Sequence, residues 1–259
     1  MLLLPLAAFG QEMTFESVEA SLGPYGPVME SSAILPFEER FYRYRLKGVK
    51  SDEKGYVKIA VNTRVLNPTG KLISDTKDTL EGVLSVGGTI VPGTSAVTFG
   101  ENHPIGAYTL IVVAKDQANG NEAEFRKRFT LKKPEFAVVS TRFSRDRDGK
   151  IPSAAGGLVG QSLFFNVRIV GFDRSTGKID VDMVVNVLDD ELNPILQNVV
   201  RANTTTADPK IVNETPFLSF GGHLFLNREG TFTFMVVAND RIKKKEARFV
   251  ASIKVSNPQ

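Results

Sequence analysis

From residue 41 the chain reads Phe-Tyr-Arg-Tyr-Arg-Leu-Lys-Gly, so that Tyr42, Tyr44 and Leu46 alternate with Phe41, Arg43 and Arg45. Residues 165–170 do the same, with Phe165, Val167 and Ile169 set against Asn166, Arg168 and Val170. A two-residue period places successive side chains on opposite faces of a strand, so each segment is expected to bury one face and wet the other. The run Tyr108–Val113 is β-branched and aromatic and is bounded by Gly106 and Asp116, again as a strand should be. Asn119-Gly120 falls between Tyr108–Ala114 and Ala123–Leu131 and predicts a hairpin turn, because that dipeptide tolerates positive φ. No stretch sustains an apolar period of 3.6 residues with capping residues at its ends, so no helix is expected.

The pattern occurs twice. Gly106–Asp116 (GAYTLIVVAKD) lies over Gly230–Asp240 (GTFTFMVVAND), and the match runs on without a gap through Glu122–Phe125 against Glu246–Phe249. In the second copy the polar stretch Arg241–Lys245 stands where the first has Asn119-Gly120. A weaker match in the same order sets Phe41–Gly48 over Phe164–Gly171 and, after a one-residue gap, Gly55–Asn67 over Gly177–Asp189. Two collinear matches at nearly one offset read as an internal duplication. The boundary is expected at Lys132-Lys133-Pro134, giving one domain over 11–133 and another over 134–259. Short strands separated by turn residues, in units of this length, predict an all-β fold of two tandem antiparallel β-sandwich domains.

The pattern G-x-Y/F-x-L/F-x-V-x-A-x-D, followed by a polar turn and another alternating strand, spans Gly106–Leu131 and Gly230–Val255. It resembles the closing hairpin of bacterial immunoglobulin-like and fibronectin-III-like modules, and of macroglobulin-type β-sandwich domains. The resemblance is confined to that hairpin and encodes no site. It implies a sandwich fold and an envelope or cell-surface setting, while function does not follow from fold. The Cys–Trp–Cys core of antibody domains is missing, since the chain has neither residue type.

Composition narrows the chemistry. Without cysteine there are no disulfides, no thiol catalysis and no cysteine-ligated zinc or iron–sulfur site. The net charge of +3 comes from cations interleaved with acids, with only short clusters such as Lys243–Lys245. A nucleic-acid binder concentrates its basic residues in a stripe, so no nucleic-acid partner is expected. The first ten residues, MLLLPLAAFG, are apolar and end with Ala8 and Gly10 at the −3 and −1 positions of a cleavage point before Gln11. That reads as the end of a secretory signal peptide, and predicts an exported protein of the periplasm, the cell surface or the medium. The run is too short to span a bilayer, which takes about 20 residues, and no later segment is apolar enough.

Candidate sites are sparse. The loop Ser144–Lys150 sets Asp146 and Asp148 two residues apart before Gly149, an oxygen-ligand pattern compatible with calcium, although no bidentate glutamate follows at the spacing of an EF-hand. Asp189-Asp190-Glu191 before Asn193-Pro194 shares that ambiguity, in a segment expected to turn. His103 and His223 each follow a Phe-Gly pair and read as loop residues, and Gly156, Gly157 and Gly160 likewise read as loop. Tyr25, within Gly23–Pro27, and Tyr42 or Tyr44 are the candidates for stacking on a sugar. No G-x-S-x-G elbow, P-loop or dinucleotide fingerprint is present. The reading that follows is a non-enzymatic structural or protein-binding module of the cell envelope. The alternatives are a calcium- or carbohydrate-dependent adhesion module, and a hydrolase using carboxylates.

Overall fold

A computed structural model describes residues 12–258, so the signal-peptide run and its cleavage point lie outside the described residues. Of the described residues, 60% are in strands and 2% in a helix. The first group of strands is β1 (Thr14–Leu22), β2 (Ala33–Ile34), β3 (Glu39–Lys47), β4 (Tyr56–Leu66), β5 (Leu72–Val83), β6 (Ile90–Thr98), β7 (Gly106–Asp116) and β8 (Glu122–Leu131). The second group is β9 (Ala137–Ser144), β10 (Pro152–Ser153), β11 (Gly156–Leu158), β12 (Ser162–Val170), β13 (Ile179–Leu188), β14 (Pro194–Thr206), β15 (Leu218–Phe225), β16 (Gly230–Asp240) and β17 (Lys245–Ser256). Among the described residues a single helix, α1 (Pro209–Glu214), follows β14.

The strands form four sheets with a shared logic. β2-β8-β7-β4-β5 has the same order as β11-β17-β16-β13-β14, and in each the short first strand pairs parallel to the last strand of its group. The facing sheets are β1-β3-β6 and β10-β9-β12-β15, so that β1, β3 and β6 occupy the places of β9, β12 and β15. β8 ends at Leu131 and β9 begins at Ala137, on either side of Pro134.

Alternation makes the cores. In the second group Phe143, Leu163, Phe165 and Val167 from one sheet meet Val181, Met183, Phe234, Val236 and Ile253 from the other in one buried cluster. Phe234 is held edge-on by Phe143 and by Phe165, with ring centroids 5.4 Å and 5.1 Å away. Burying each such side chain contributes about 1.5–3 kcal/mol. In the first group Phe15 on β1 packs edge-on against Phe125 on β8 at 4.7 Å, and Thr63 on β4 hydrogen-bonds Ser95 on β6 at 2.8 Å. Tyr42 and Tyr44 are 1% and 2% exposed. They are core residues, which removes them as sugar platforms.

The aspartate that closes the repeated motif is a buried anchor at both of its occurrences. Asp116 Oδ2 accepts the Lys50 N–H at 2.9 Å and Oδ1 accepts Ala118 N–H at 2.9 Å. Asp240 Oδ2 accepts the Asp173 N–H at 2.7 Å, and Oδ1 accepts Ile242 and Lys243 N–H at 3.0 and 3.1 Å. Each carboxylate thereby ties its own hairpin turn to the segment after β3 or β12. That segment starts with Gly48 (φ +79) or Gly171 (φ +67), where a Cβ would stand 2.6 Å from Glu12 O or 2.1 Å from Glu135 O. Only glycine fits so close to a neighbouring carbonyl in the left-handed region.

The expected hairpin turn at Asn119-Gly120 joins β7 to β8: the chain wraps around Asp116, whose N–H reaches Asn121 O at 2.9 Å, and of the two residues only Gly120 takes positive φ. Other sequence expectations are corrected. Gly156 and Gly157 belong to β11 rather than to a loop. Helix α1 exists because Asp208 caps Lys210 N–H at 2.9 Å and Pro209 presets its first turn. At six residues it is too short to show a period.

The chain divides into two compact units. One comprises the described residues up to Glu19 with Arg43–Ser95 and Ala107–Phe129, and the other comprises Ala20–Tyr42, Ala96–Gly106 and the chain from Thr130 onward.

Candidate functional site

The second unit contains a cleft of about 1140 Å³ on the outward face of β9, β12 and β15. Strand register builds its floor. Phe164 pairs with Ser144 and His223, Asn166 with Arg142 and Gly221, and Arg168 with Ser140 and Ser219. Residues directly opposite in an antiparallel pair share a face, so these nine form a three-by-three grid turned away from the core. Ser140 and Ser144 are only 4% and 6% exposed, although they point outward. The cleft is walled by Leu22–Gly26 with Tyr25, by Glu39 and Phe41 of β3, and by Arg147–Gly149 after β9.

The wall containing Glu39 is fixed from beneath. Arg40 and Glu38 are 1% and 5% exposed and form a buried ion pair. The Arg40 guanidinium also donates to Ser31 O at 2.6 Å and Ala33 O at 2.9 Å, while Glu38 accepts the Leu35 N–H at 3.1 Å. Burial raises the Glu38 pKa, against the opposing pull of Arg40 and the Leu35 N–H. Removing one partner of such a pair leaves an uncompensated buried charge. Phe37 sits just before it at φ +62, an unusual conformation for a bulky residue, with its N–H on Phe99 O at 2.6 Å and its ring 6.0 Å from that of Phe217.

Two arginines dominate the electrostatics. Arg142 is ion-paired with Glu39, and its guanidinium lies 5.9 Å from the centre of the Phe41 ring. Arg168 donates to Phe37 O at 3.0 Å and lies over the Phe217 ring at 4.2 Å. Burial lowers the pKa of both, and the charge of Arg168 lowers that of Arg142 further. On the rest of the grid, Ser219 Oγ hydrogen-bonds Asn166 Oδ1 at 2.9 Å and the Phe164 ring lies 5.6 Å from His223. Gly221 leaves an indentation: a Cβ there would touch only Phe165 O at 3.6 Å and Asn166 Nδ2 at 3.9 Å. The cleft thus offers N–H donors and aromatic faces, suited to holding a group rich in acceptors.

The residues singled out from sequence are placed as follows. Asp146 accepts Ile151 N–H at 2.6 Å and Lys150 N–H at 3.0 Å, and these backbone bonds, Ile151 first, lower its pKa. Asp148 lines the cleft and meets Lys150 Nζ at 3.1 Å. Among the described residues no group of three or more His, Asp or Glu side chains is gathered to hold a metal. Asp189 Oδ1 accepts Glu191 and Asn193 N–H at 3.1 and 2.7 Å, as Asn67 Oδ1 accepts Thr69 and Lys71 N–H at 3.0 and 2.9 Å. The acidic cluster therefore occupies a turn of the same design as the non-acidic one that follows Asn67. His103 packs on Phe99 in the loop before β7, as expected, whereas His223 is not a loop residue: it lies within β15, where it pairs with Phe164 of β12. Tyr25 is 57% exposed and shares the cleft with Asp148. Sequence reasoning missed Arg142 and Arg168 as site residues. Their only signal was cationic residues on the wet positions of strands that also carry Phe164.

No helix among the described residues is long and apolar enough to cross a membrane. No family profile and no curated protein matches the sequence. Among solved structures, the chain is similar to red sea bream transglutaminase, at 8% identity and TM-score 0.30 over 93% of this chain, and it spans 31% of that enzyme's length. It is similar to the C-terminal domain of the Streptococcus agalactiae AgI/II polypeptide BspA, at 11% identity and TM-score 0.31, covering 93% of this chain and 99% of that one. The C-terminal domain of the Streptococcus pyogenes antigen I/II-family protein AspA compares at 10% identity and TM-score 0.31, covering 92% and 99%. Likeness this faint carries no argument about activity or partners.

Proposed function

We propose that this chain is a non-enzymatic, exported envelope module, made by duplication of one β-sandwich, that holds a protein partner in the cleft on β9, β12 and β15. The duplication is supported by the shared strand order and by the paired anchors Asp116 and Asp240. Export is supported by the run MLLLPLAAFG. The observation that carries the binding reading is the cleft lining. Arginine, tyrosine and phenylalanine are enriched where proteins meet, and here Arg142, Arg168, Tyr25, Phe41 and Phe164 surround one concavity on a sheet face that the sandwich core does not need.

The test uses Gly221→Trp, which fills the indentation at a position with room for a side chain. The full chain and the variant, first shown to have equal Tm, are used to capture proteins from an envelope extract. A protein retained by the native chain and lost with Gly221→Trp is expected. Equal retention by both would overturn the cleft as the binding surface.

A further inference from the structure

The chemistry that the cleft selects follows from what its polar groups have left to offer. Both carboxylates in its lining are engaged, Glu39 by Arg142 and Asp148 by Lys150. Among the described residues Arg168 has no carboxylate partner; its guanidinium meets the Phe37 carbonyl and the Phe217 ring. A guanidinium has five N–H donors and no acceptor, so donors are in surplus. The two arginines are diagonal neighbours on adjacent strands, because Arg142 opposes Asn166 and Arg168 opposes Ser140. That register sets their Cβ atoms about 7 Å apart. Both are partly withdrawn from water, where a second cation nearby is costly and an anion between them is favoured.

A carboxylate is all acceptor and meets guanidinium groups through paired hydrogen bonds. A sugar hydroxyl is neutral and gains no ion pair with a guanidinium, so the surplus of cationic donors favours a carboxylate over it. The volume of about 1140 Å³ far exceeds a lone anion, and Tyr25, Phe41 and Phe164 supply apolar contact along it. We propose that the cleft takes an acidic peptide segment of the protein partner, with a carboxylate seated between Arg142 and Arg168. This rests on the reading of the cleft as the binding surface.

The test measures fluorescence anisotropy of the full chain with a labelled peptide of alternating glutamate and glycine, against the same peptide with glutamine. The glutamate peptide is expected to bind at least about tenfold more tightly, the difference that one charge-assisted hydrogen bond supplies, and to weaken as salt rises. Arg168→Gln and Arg142→Gln are each expected to remove that preference, while Arg168→Lys retains part of it, all at a Tm that shows folding. Equal binding of the two peptides, or a preference untouched by both arginine variants, would overturn the inference. So would displacement of the peptide by inorganic phosphate at equal concentration, which would mark a free-anion site. If an envelope protein is still lost with Gly221→Trp while the peptides bind equally, only the acidic preference fails and the cleft reading stands.

Discussion

The sheets β1-β3-β6 and β10-β9-β12-β15 hold equivalent places in their sandwiches, yet their outward faces differ. On the first, Arg43 pairs with Glu19 at 3.1 Å, and Arg45 and Lys47 reach Glu16 at 3.4 and 3.9 Å. These pairs are exposed, and each contributes little. On the second, Arg168 has an aromatic ring and a carbonyl instead of a carboxylate. Inward positions must be apolar in both sandwiches to keep a core, whereas outward positions are under no such demand. A face whose cations are answered by neighbouring acids is ordinary solvated surface. On the second face Arg142 is answered by Glu39 while Arg168 is not, and its edges are walled, which is the arrangement the proposed binding uses.

The comparison can be broken first at the shared anchors. Asp240→Ala leaves three backbone N–H groups without their acceptor and Asp116→Ala leaves two, so each is expected to cost about 3 kcal/mol in chemical denaturation. A loss below about 1 kcal/mol at either site would end their equivalence. Gly48→Ala and Gly171→Ala should follow at about 2 kcal/mol or more, from left-handed backbone and a blocked carbonyl. Gly171 is expected to suffer more, because its nearest backbone atom is closer.

The two faces are separated by smaller effects. Arg168→Gln loses a ring contact and a carbonyl bond and is expected to cost about 1 kcal/mol. Arg45→Gln on the balanced face should change stability by less than about 0.5 kcal/mol. Similar values for the two would erase the distinction. Asp173, next to the Asp240 anchor, has its pKa lowered to about 2 by the Ser175 N–H, then by the Ser175 side chain and by Lys243, whose Nζ lies 3.2 Å away. A depressed carboxylate stabilises the fold above its unfolded pKa of about 3.9 and loses that contribution as pH falls toward 2. Asp173→Asn is therefore expected to lower Tm at neutral pH by an amount that shrinks below about pH 4 and vanishes near pH 2. A Tm difference constant across that range would refute the assignment.

Much of the scaffold was legible. Tyr42, Tyr44, Leu46, Phe165, Val167 and Ile169 are buried as their alternation demands, because a strand with one apolar face has one way to turn. The repeated Asp116 and Asp240 were visible as motif ends, but not as anchors, since their partners Lys50 and Asp173 lie 66 and 67 residues away. Short elements such as β10, β11 and α1 carried too few residues for a period. The cleft was the least legible feature. Tyr25 and Asp148 stand 123 residues apart in the sequence, and nothing in that spacing joins them.

Alternation along the chain is enough to say which side of each strand faces a core, and that one pattern occurs twice. Period-two alternation is a local property and survives without knowledge of neighbours. Only the tertiary structure decided which outward side chains meet. Glu39 reaches Arg142 across 103 residues and Phe37 reaches Arg168 across 131. Such meetings depend on which strands lie side by side and on how loops return, and alternation along a single strand contains neither.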